Sequence, residues 1–280
     1  QHTTKGSAKL LRPTKLEGGT SWHPYLSTTY CEADVREWIV KIEGDNYVRL
    51  GVAAPDLDVD GIDTAHKISL VASVATGCVP SFESVHTEGI RSITGEDVDL
   101  ANQLGFSIKL LGIVSQTAEG KILQRVHPAL IPLTTSLGST HGVTNGLLTV
   151  GDFVGPVFSQ GPGAGREATA SAAVADLMDL AMDNIVPIFG VPVSHLNQME
   201  SAGMEDRVGR YFLRFSSESD RMSAVRILDL ANVLVEAHAE SGDQRCVVTY
   251  SAEESVVMPL IQEMKKTGVI ESMLRVEGPW

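Results

Sequence analysis

Phe106-Ser-Ile-Lys-Leu-Leu-Gly-Ile-Val114 and Lys121-Ile-Leu-Gln-Arg-Val-His-Pro-Ala-Leu-Ile-Pro132 are two apolar runs separated by six residues. Each is strand-length and rich in Ile, Leu and Val, and Ala118–Gly120 supplies a turn between them. This reads as a hairpin of long, buried strands. Immediately upstream, Thr94 stands three residues before Asp97, close to a capping box, and opens a helix that runs to Leu104 and stops at Gly105. Further upstream, Gly61–Gly77 carries Ile62, Ala65, Ile68, Ser69 and Ala72 in helical rhythm and ends on a glycine suited to a left-handed cap. Ser84–Ile90 lies between the two helices and reads as a strand.

Downstream, Gly161–Gly165 is a glycine-rich loop leading into a small-residue helix over Ala168–Asp183, and Val191–Gly203 breaks the pattern as a linker. Beyond it the order is strand (Arg210–Phe215), helix (Met222–Ala239), strand (Arg245–Tyr250), helix (Val256–Thr267) and strand (Ser272–Val276). That is a split βαβ module with one strand weak or missing. Residues 1–57 have no dense periodicity. Asp34–Ile42 fits a short helix, Tyr47–Val52 a strand, and the remainder reads as a degenerate N-terminal segment. The expected fold class is therefore α+β, with two domains joined near residue 200.

Composition narrows the functional classes. The 280 residues are 43% apolar and 20% charged, too apolar for a disordered chain. The longest apolar runs fall short of the roughly 18 residues a membrane-spanning helix needs. A net charge of −13 argues against nucleic acid and anionic membranes as partners. Cys31, Cys78 and Cys246 are odd in number and far apart, which argues against a disulfide framework or zinc site and for a reducing, cytoplasmic setting. The chain begins at Gln1, as a processed product or a fragment would.

Two patterns carry chemistry. In Asp58-Val-Asp-Gly-Ile-Asp63-Thr-Ala-His-Lys67, Asp63 and Lys67 are four residues apart on one helix face. Such a pair can orient a substrate hydroxyl or amine and hand over a proton. It can equally be a surface ion pair worth a few tenths of a kcal/mol, the commoner outcome of this spacing. Gln160-Gly-Pro-Gly-Ala-Gly165 presents free backbone N–H groups to an anion or flat cofactor, or simply makes a tight turn. Its GxGxG spacing is not the dinucleotide fingerprint GxGxxG. His127 and His141 have no spaced partner and read as core or loop histidines.

Taken in order, DVDGIDTAHK, TEGI with ITGEDVDLANQLGFSIKLLGI, RVHPALIP, HGVTNG and GPGAGREATASAAVADL resemble homoserine dehydrogenase over residues 58–183. RYFLRF, SDR and MLRVEG resemble the regulatory ACT domain of its longer bacterial members. The resemblance implies NAD- or NADP-dependent interconversion of L-aspartate 4-semialdehyde and L-homoserine, a step towards threonine, methionine and isoleucine. It divides the chain into residues 58–200, a mixed-sheet catalytic and dimerisation domain, and residues 207–280, a ferredoxin-like ACT module. It assigns Lys67 as proton donor to the carbonyl oxygen, Asp58 and Asp63 as substrate ligands, and Gly51 and Gly165 as cofactor contacts. It further implies a homodimer or higher oligomer built on the strands Phe106–Val114 and Lys121–Pro132, an amino-acid effector, and a monovalent cation, for which Glu17 is a candidate ligand.

The family's substrate-binding glutamate falls on Ala54, and the ACT turn Pro-Gly-Val-Leu reads Met222-Ser-Ala-Val225. Family members begin with a Rossmann domain carrying GxGxxG, and this sequence contains no such motif. The expectation is that the chain by itself is inactive, with Lys67 partly exposed and paired to a carboxylate. The alternative is a non-catalytic amino-acid-binding or assembly subunit on the same scaffold.

Overall fold

A computed structural model describes residues 55–184 and 186–278, together with the backbone of the short strands β1 (His2–Thr4), β2 (Ala8–Leu10), β3 (Glu37–Lys41) and β4 (Tyr47–Gly51). Strands β1 and β2 pair antiparallel, as do β3 and β4. The helix expected over Asp34–Ile42 is thus a strand over Glu37–Lys41. The run Trp38-Ile39-Val40 consists of residues that favour pleated backbone, and this local preference wins over their helical spacing. Glu17 and Ala54 lie outside the described residues.

The chain divides into two compact units. One comprises residues 1–55, 142–145 and 161–185, and the other comprises residues 56–141, 146–160 and 186–280. The first holds strands β1–β4 and helix α4 (Arg166–Ala181). Its glycine turn is close-packed at one point: a Cβ on Gly163 would lie 2.0 Å from the Asn145 side chain.

The second unit contains helices α1 (Pro55–Val59, all but its first residue), α2 (Ile62–Thr76) and α3 (Gly95–Gln103), and strands β5 (Val85–Thr87), β6 (Phe106–Gln116) and β7 (Ile122–Pro132). Most of the hairpin β8 (Thr144–Gly151) and β9 (Gly155–Pro162) lies here too. After residue 200 come β10 (Val208–Phe215), α5 (Glu218–Leu230), β11 (Val235–Ser241), β12 (Gln244–Thr249), β13 (Ala252–Glu253), α6 (Glu254–Lys266) and β14 (Ser272–Val276).

The hairpin read from the sequence is the longest pairing among the described residues, eleven register pairs from Phe106↔Pro132 to Gln116↔Ile122. Its other edge takes two parallel partners. Strand β5 lies along Gln124–Val126, and β14 joins at Ala129 and Leu130. The result is one mixed eight-stranded sheet with the order β11-β12-β10-β14-β7-β5, and β6 and β13 off that path. Segments on both sides of residue 200 therefore share a sheet.

The missing strand of the split βαβ module is β11 (Val235–Ser241), which takes up the second half of the helix expected over Met222–Ala239. Helix α5 stops at Leu230, and Asn232 takes a left-handed conformation (φ 59°) that turns the chain. From Val235 the side chains alternate between half-buried and exposed, with Val235, Ala237 and Ala239 inward and Glu236, His238 and Glu240 outward. That period of two marks a strand.

Helices cover both faces of the sheet. Leu100 and Ala101 of α3 pack on Leu130, Phe212, Cys246, Val248, Leu274 and Val276. Helices α5 and α6 cover the opposite face through Leu228, Val257, Ile261 and Met264, against Tyr211, Leu213 and Phe215. Ala65 and Ile68 of α2 pack on Val126, Leu110 and Val114. Both expected helix ends are present. Gly77 caps α2 at φ 69°, and Thr94 with Asp97 makes a reciprocal capping box. Among the described residues, no helix is long and apolar enough to cross a membrane.

Phe212 is fully buried where four strands and α3 meet. Phe212→Ala should lower the unfolding free energy by about 3–5 kcal/mol, as for other large-to-small core changes. Urea denaturation measures it, and a loss under about 1 kcal/mol would mean that the α3 face of this sheet is not a packed core.

Candidate active site

The Asp58–Lys67 segment spans the end of α1, a tight turn and the first turns of α2. Gly61 makes the turn at φ 78°, and a Cβ there would stand only 3.0 Å from the Val126 methyl, so two constraints favour glycine. Asp63 and Lys67 then fall on one face of α2, and the Lys67 ammonium donates a hydrogen bond to the Asp63 carboxylate. Both side chains remain open to solvent, at 66% for Lys67 and 39% for Asp63. Asp58 is exposed on α1, and its carbonyl accepts a bond from the Gly61 N–H at 3.2 Å.

A second loop braces this segment from β5. The Ile90 N–H donates to the Val59 carbonyl at 2.9 Å. At Gly89 the backbones come so close that a Cβ would lie 2.5 Å from the Val59 oxygen. Arg91 reaches across to Asp60, with Nε donating at 2.6 Å, and to Asp56. Its guanidinium holds the Asp60 carboxyl below the usual carboxylate range. Asp56 and Asp60 flank Asp58, so one arginine fixes the ends of the stretch that carries it. A groove of about 390 Å³ opens beside this loop, and Asp60, Glu88, Arg91, Met258 and Lys265 are among the residues that line it.

Behind the loop lies a buried charge cluster that sequence reading missed. Arg275 of β14, 2% exposed, donates from Nε to Glu254 at 2.9 Å and from Nη1 to Glu88 at 2.8 Å. Glu254 also receives Arg207 and the Tyr211 hydroxyl, each at 3.2 Å. Glu277 takes Arg207 at 3.0 Å and Arg125 at 3.4 Å. Burial alone would raise the Glu88 carboxyl, but hydrogen bonds from His86 and Arg275 outweigh it and hold it down at about 2. Burial, joined by the charge of Arg275, keeps His127 well below the ordinary imidazole value and therefore neutral near pH 7. A signal did exist: Arg125 and Arg275 each fall within a strand run rich in apolar residues, where a buried guanidinium calls for a carboxylate partner.

Gly51 and Gly165 belong to the other compact unit. Gly51 ends β4. Gly165 precedes α4 at φ 114°, a conformation that favours glycine, and a Cβ there would meet nothing within 4 Å. The Thr169 N–H is bonded to the Gly165 carbonyl, so the preceding N–H groups of the first turn are left to outside acceptors. An open glycine turn with free donors fits the edge of a flat, polar cofactor ring. Among the described residues, no group of three His, Cys, Asp or Glu side chains could hold a metal ion.

Two outcomes test this geometry. Lys67→Ala should change stability by less than about 0.5 kcal/mol, because the pair is solvent-exposed. A larger loss in thermal or urea unfolding would assign Lys67 a structural role. For Glu88 the folded carboxyl titrates near 2 against an ordinary 4.5, so its stabilisation is present above about pH 4.5 and fades as pH falls towards 2. Glu88→Gln should be less stable than the parent at pH 7, with the gap narrowing between those two pH values. A gap that stays constant down to pH 2 would contradict the assignment.

Residues 46–178 match the family model for homoserine dehydrogenase. The homoserine dehydrogenase of Pseudomonas aeruginosa is 39% identical over 172 residues, covering 59% of this chain and 39% of that protein. The Neisseria gonorrhoeae homoserine dehydrogenase is 31% identical over 244 residues, covering 81% of this chain and 56% of the relative. The crystal structure of a homoserine dehydrogenase from Thiobacillus denitrificans superposes with a TM-score of 0.69 at 34% identity, over 80% of this chain and 55% of that one. The chain thus spans between 39% and 56% of the length of these relatives. Residues 46–178 thus resemble homoserine dehydrogenase, and the likeness to that oxidoreductase family extends over four-fifths of the chain.

Proposed function

We propose that the chain contributes the substrate-binding half of a homoserine dehydrogenase, the enzyme that interconverts L-aspartate 4-semialdehyde and L-homoserine. The observation that carries this reading is the Asp58–Lys67 segment: two carboxylates and an ammonium set on and beside one helix, within the stretch that matches the family. Asp63 would bind the amine and hydroxyl end of homoserine, and Asp58 would contact the substrate from α1. Lys67, now tied to Asp63, would turn its ammonium to the carbonyl oxygen and supply the proton as the aldehyde becomes an alcohol. In the reverse direction the same nitrogen takes that proton back.

NADP or NAD, when bound, supplies or accepts the hydride. Gly165 and Gly51 are the residues of this chain that would lie against it, and the open turn before α4 supports that role. Residues 58–200 would be the catalytic and dimerisation domain and residues 207–280 an ACT-like module, a reading supported by the βαββαβ order of β10–β14 and its antiparallel pairing. The setting would be cytoplasmic, with a bound monovalent cation and an amino-acid effector as further members of the assembly. Homodimerisation would use β6 and not, as the sequence suggests, Lys121–Pro132 as well: β7 has β6 on one edge and β5 and β14 on the other, whereas β7 is the sole ladder partner of β6 among the described residues. The apolar tip of the β8–β9 hairpin, with Phe153 fully exposed, also suits a partner surface.

Hydride transfer requires the cofactor to be held against substrate to within about half an ångström. The 280-residue polypeptide on its own should therefore bind L-homoserine, lose at least tenfold in affinity on Asp63→Ala, and show no NADPH-dependent reduction of aspartate semialdehyde. Calorimetric titration and an absorbance assay at the nicotinamide band measure the two. Failure to bind homoserine would refute the substrate site, and turnover abolished by Lys67→Ala would refute the inactivity.

A further inference from the structure

We infer that Arg275 is a positioning residue for the Asp58–Lys67 segment, acting through Glu88, so that the C-terminal βαββαβ module sets the order of the substrate-side turn. The functional consequence rests on the reading of Asp58 and Asp63 as substrate ligands; the mechanical link does not. The link can be followed atom by atom. Glu254, the first residue of α6, and Arg275 of β14 form a buried pair, each 2% exposed. A guanidinium this deep needs carboxylate on more than one side, and its remaining arm, Nη1, goes to Glu88 at 2.8 Å.

Glu88 is held at three points. Its own N–H donates to the Val126 carbonyl of β7 at 2.8 Å, His86 Nε2 lies 2.6 Å from Oε1, and Arg275 takes Oε2. The next two residues are the ones that touch the site. Gly89 packs against the Val59 carbonyl and the Asp60 Cα, and the Ile90 N–H bonds the Val59 oxygen. Displacing Glu88 therefore displaces the surface against which Val59 and Asp60 turn into α2. Backbone packed this closely has no slack to absorb the movement.

The route matters because the backbone joint between the module and β7 is short. Strands β14 and β7 share two register pairs, Arg275↔Ala129 and Val276↔Leu130, with the Glu277 N–H donating to the Leu130 carbonyl just beyond them. Those contacts fix the C-terminal part of β7, whereas the Asp58–Lys67 turn lies against its N-terminal part at Val126. The side-chain bridge from Arg275 spans that gap.

Amide exchange by NMR on the whole 280-residue chain tests the link at two reporters far from the mutated position in sequence. The Asp60 N–H is bonded to Asp56 and the Ala65 N–H to Gly61. Glu88→Ala cuts the bridge while leaving the buried Arg275–Glu254 pair intact. Exchange at Asp60 and Ala65 should accelerate at least tenfold while Leu228 of α5 and Ala101 of α3 stay within twofold. Glu88→Gln keeps an acceptor for Arg275 and should return both reporters to within about threefold of the parent. Arg275→Met should accelerate the same two amides, and the double variant with Glu88→Ala no more than either alone. Unchanged exchange at Asp60 and Ala65 in Glu88→Ala would overturn the inference, as would acceleration spread evenly through α3 and α5. Homoserine that fails to bind the parent chain would sink the substrate reading separately, because the exchange result does not depend on it.

Discussion

Strand β7 is the constraint on which the second unit depends. Ten of its eleven residues are buried, and three strands take hydrogen bonds from it: β6 along one edge, β5 and β14 in succession along the other. A strand so enclosed has to be apolar on the faces that meet helices, and Val126 and Leu130 meet α2 and α3. Where its side chains are polar, each needs a partner. Gln124 reaches Ser81 and Ser84, Arg125 reaches Ser115 and Glu277, and His127 turns Nδ1 to the Pro128 carbonyl. The cost of burying charge explains why Glu254 and Glu277 each take two arginines, although Gln124 Oε1, Arg125 Nε and His127 Nε2 are left without a hydrogen-bond partner among the described residues.

From that strand the candidate site follows in two steps. The β5 ladder sets where Thr87 ends, which places Glu88, Gly89 and Ile90 against the α1–α2 turn. That turn in turn sets which way α2 leaves, and with it the face on which Asp63 and Lys67 stand. The chemistry of the site sits on an exposed helix face, while its geometry is set by buried backbone contacts one layer below.

Much of this was legible in the residues. The hairpin Phe106–Pro132, both capped helices and a split βαβ module short of one strand follow from periodicity and from cap chemistry at Gly77, Thr94 and Asp97. Asp58, Asp63 and Lys67 are singled out by family resemblance alone, since their spacing allows an ordinary surface ion pair. Strand β11 was hidden because its apolar residues, Val235, Ala237 and Ala239, follow a helix without a proline or glycine to separate them. The left-handed Asn232 does that work instead. The parallel joint between β14 and β7, and the partners that the buried arginines find beside it, were not legible. Both depend on residues about 150 positions apart, Arg125 and Glu277 among them, whose meeting no local pattern encodes.

Native-state hydrogen exchange across a urea series tests whether segments on both sides of residue 200 form one cooperative sheet around β7. Amides of β7 such as Val126 and Leu130, and amides of β10 such as Phe212 and Leu213, should converge on a single opening free energy and a single urea dependence. Two separate isotherms, with β10 and β14 opening while β6 and β7 stay protected, would contradict the account.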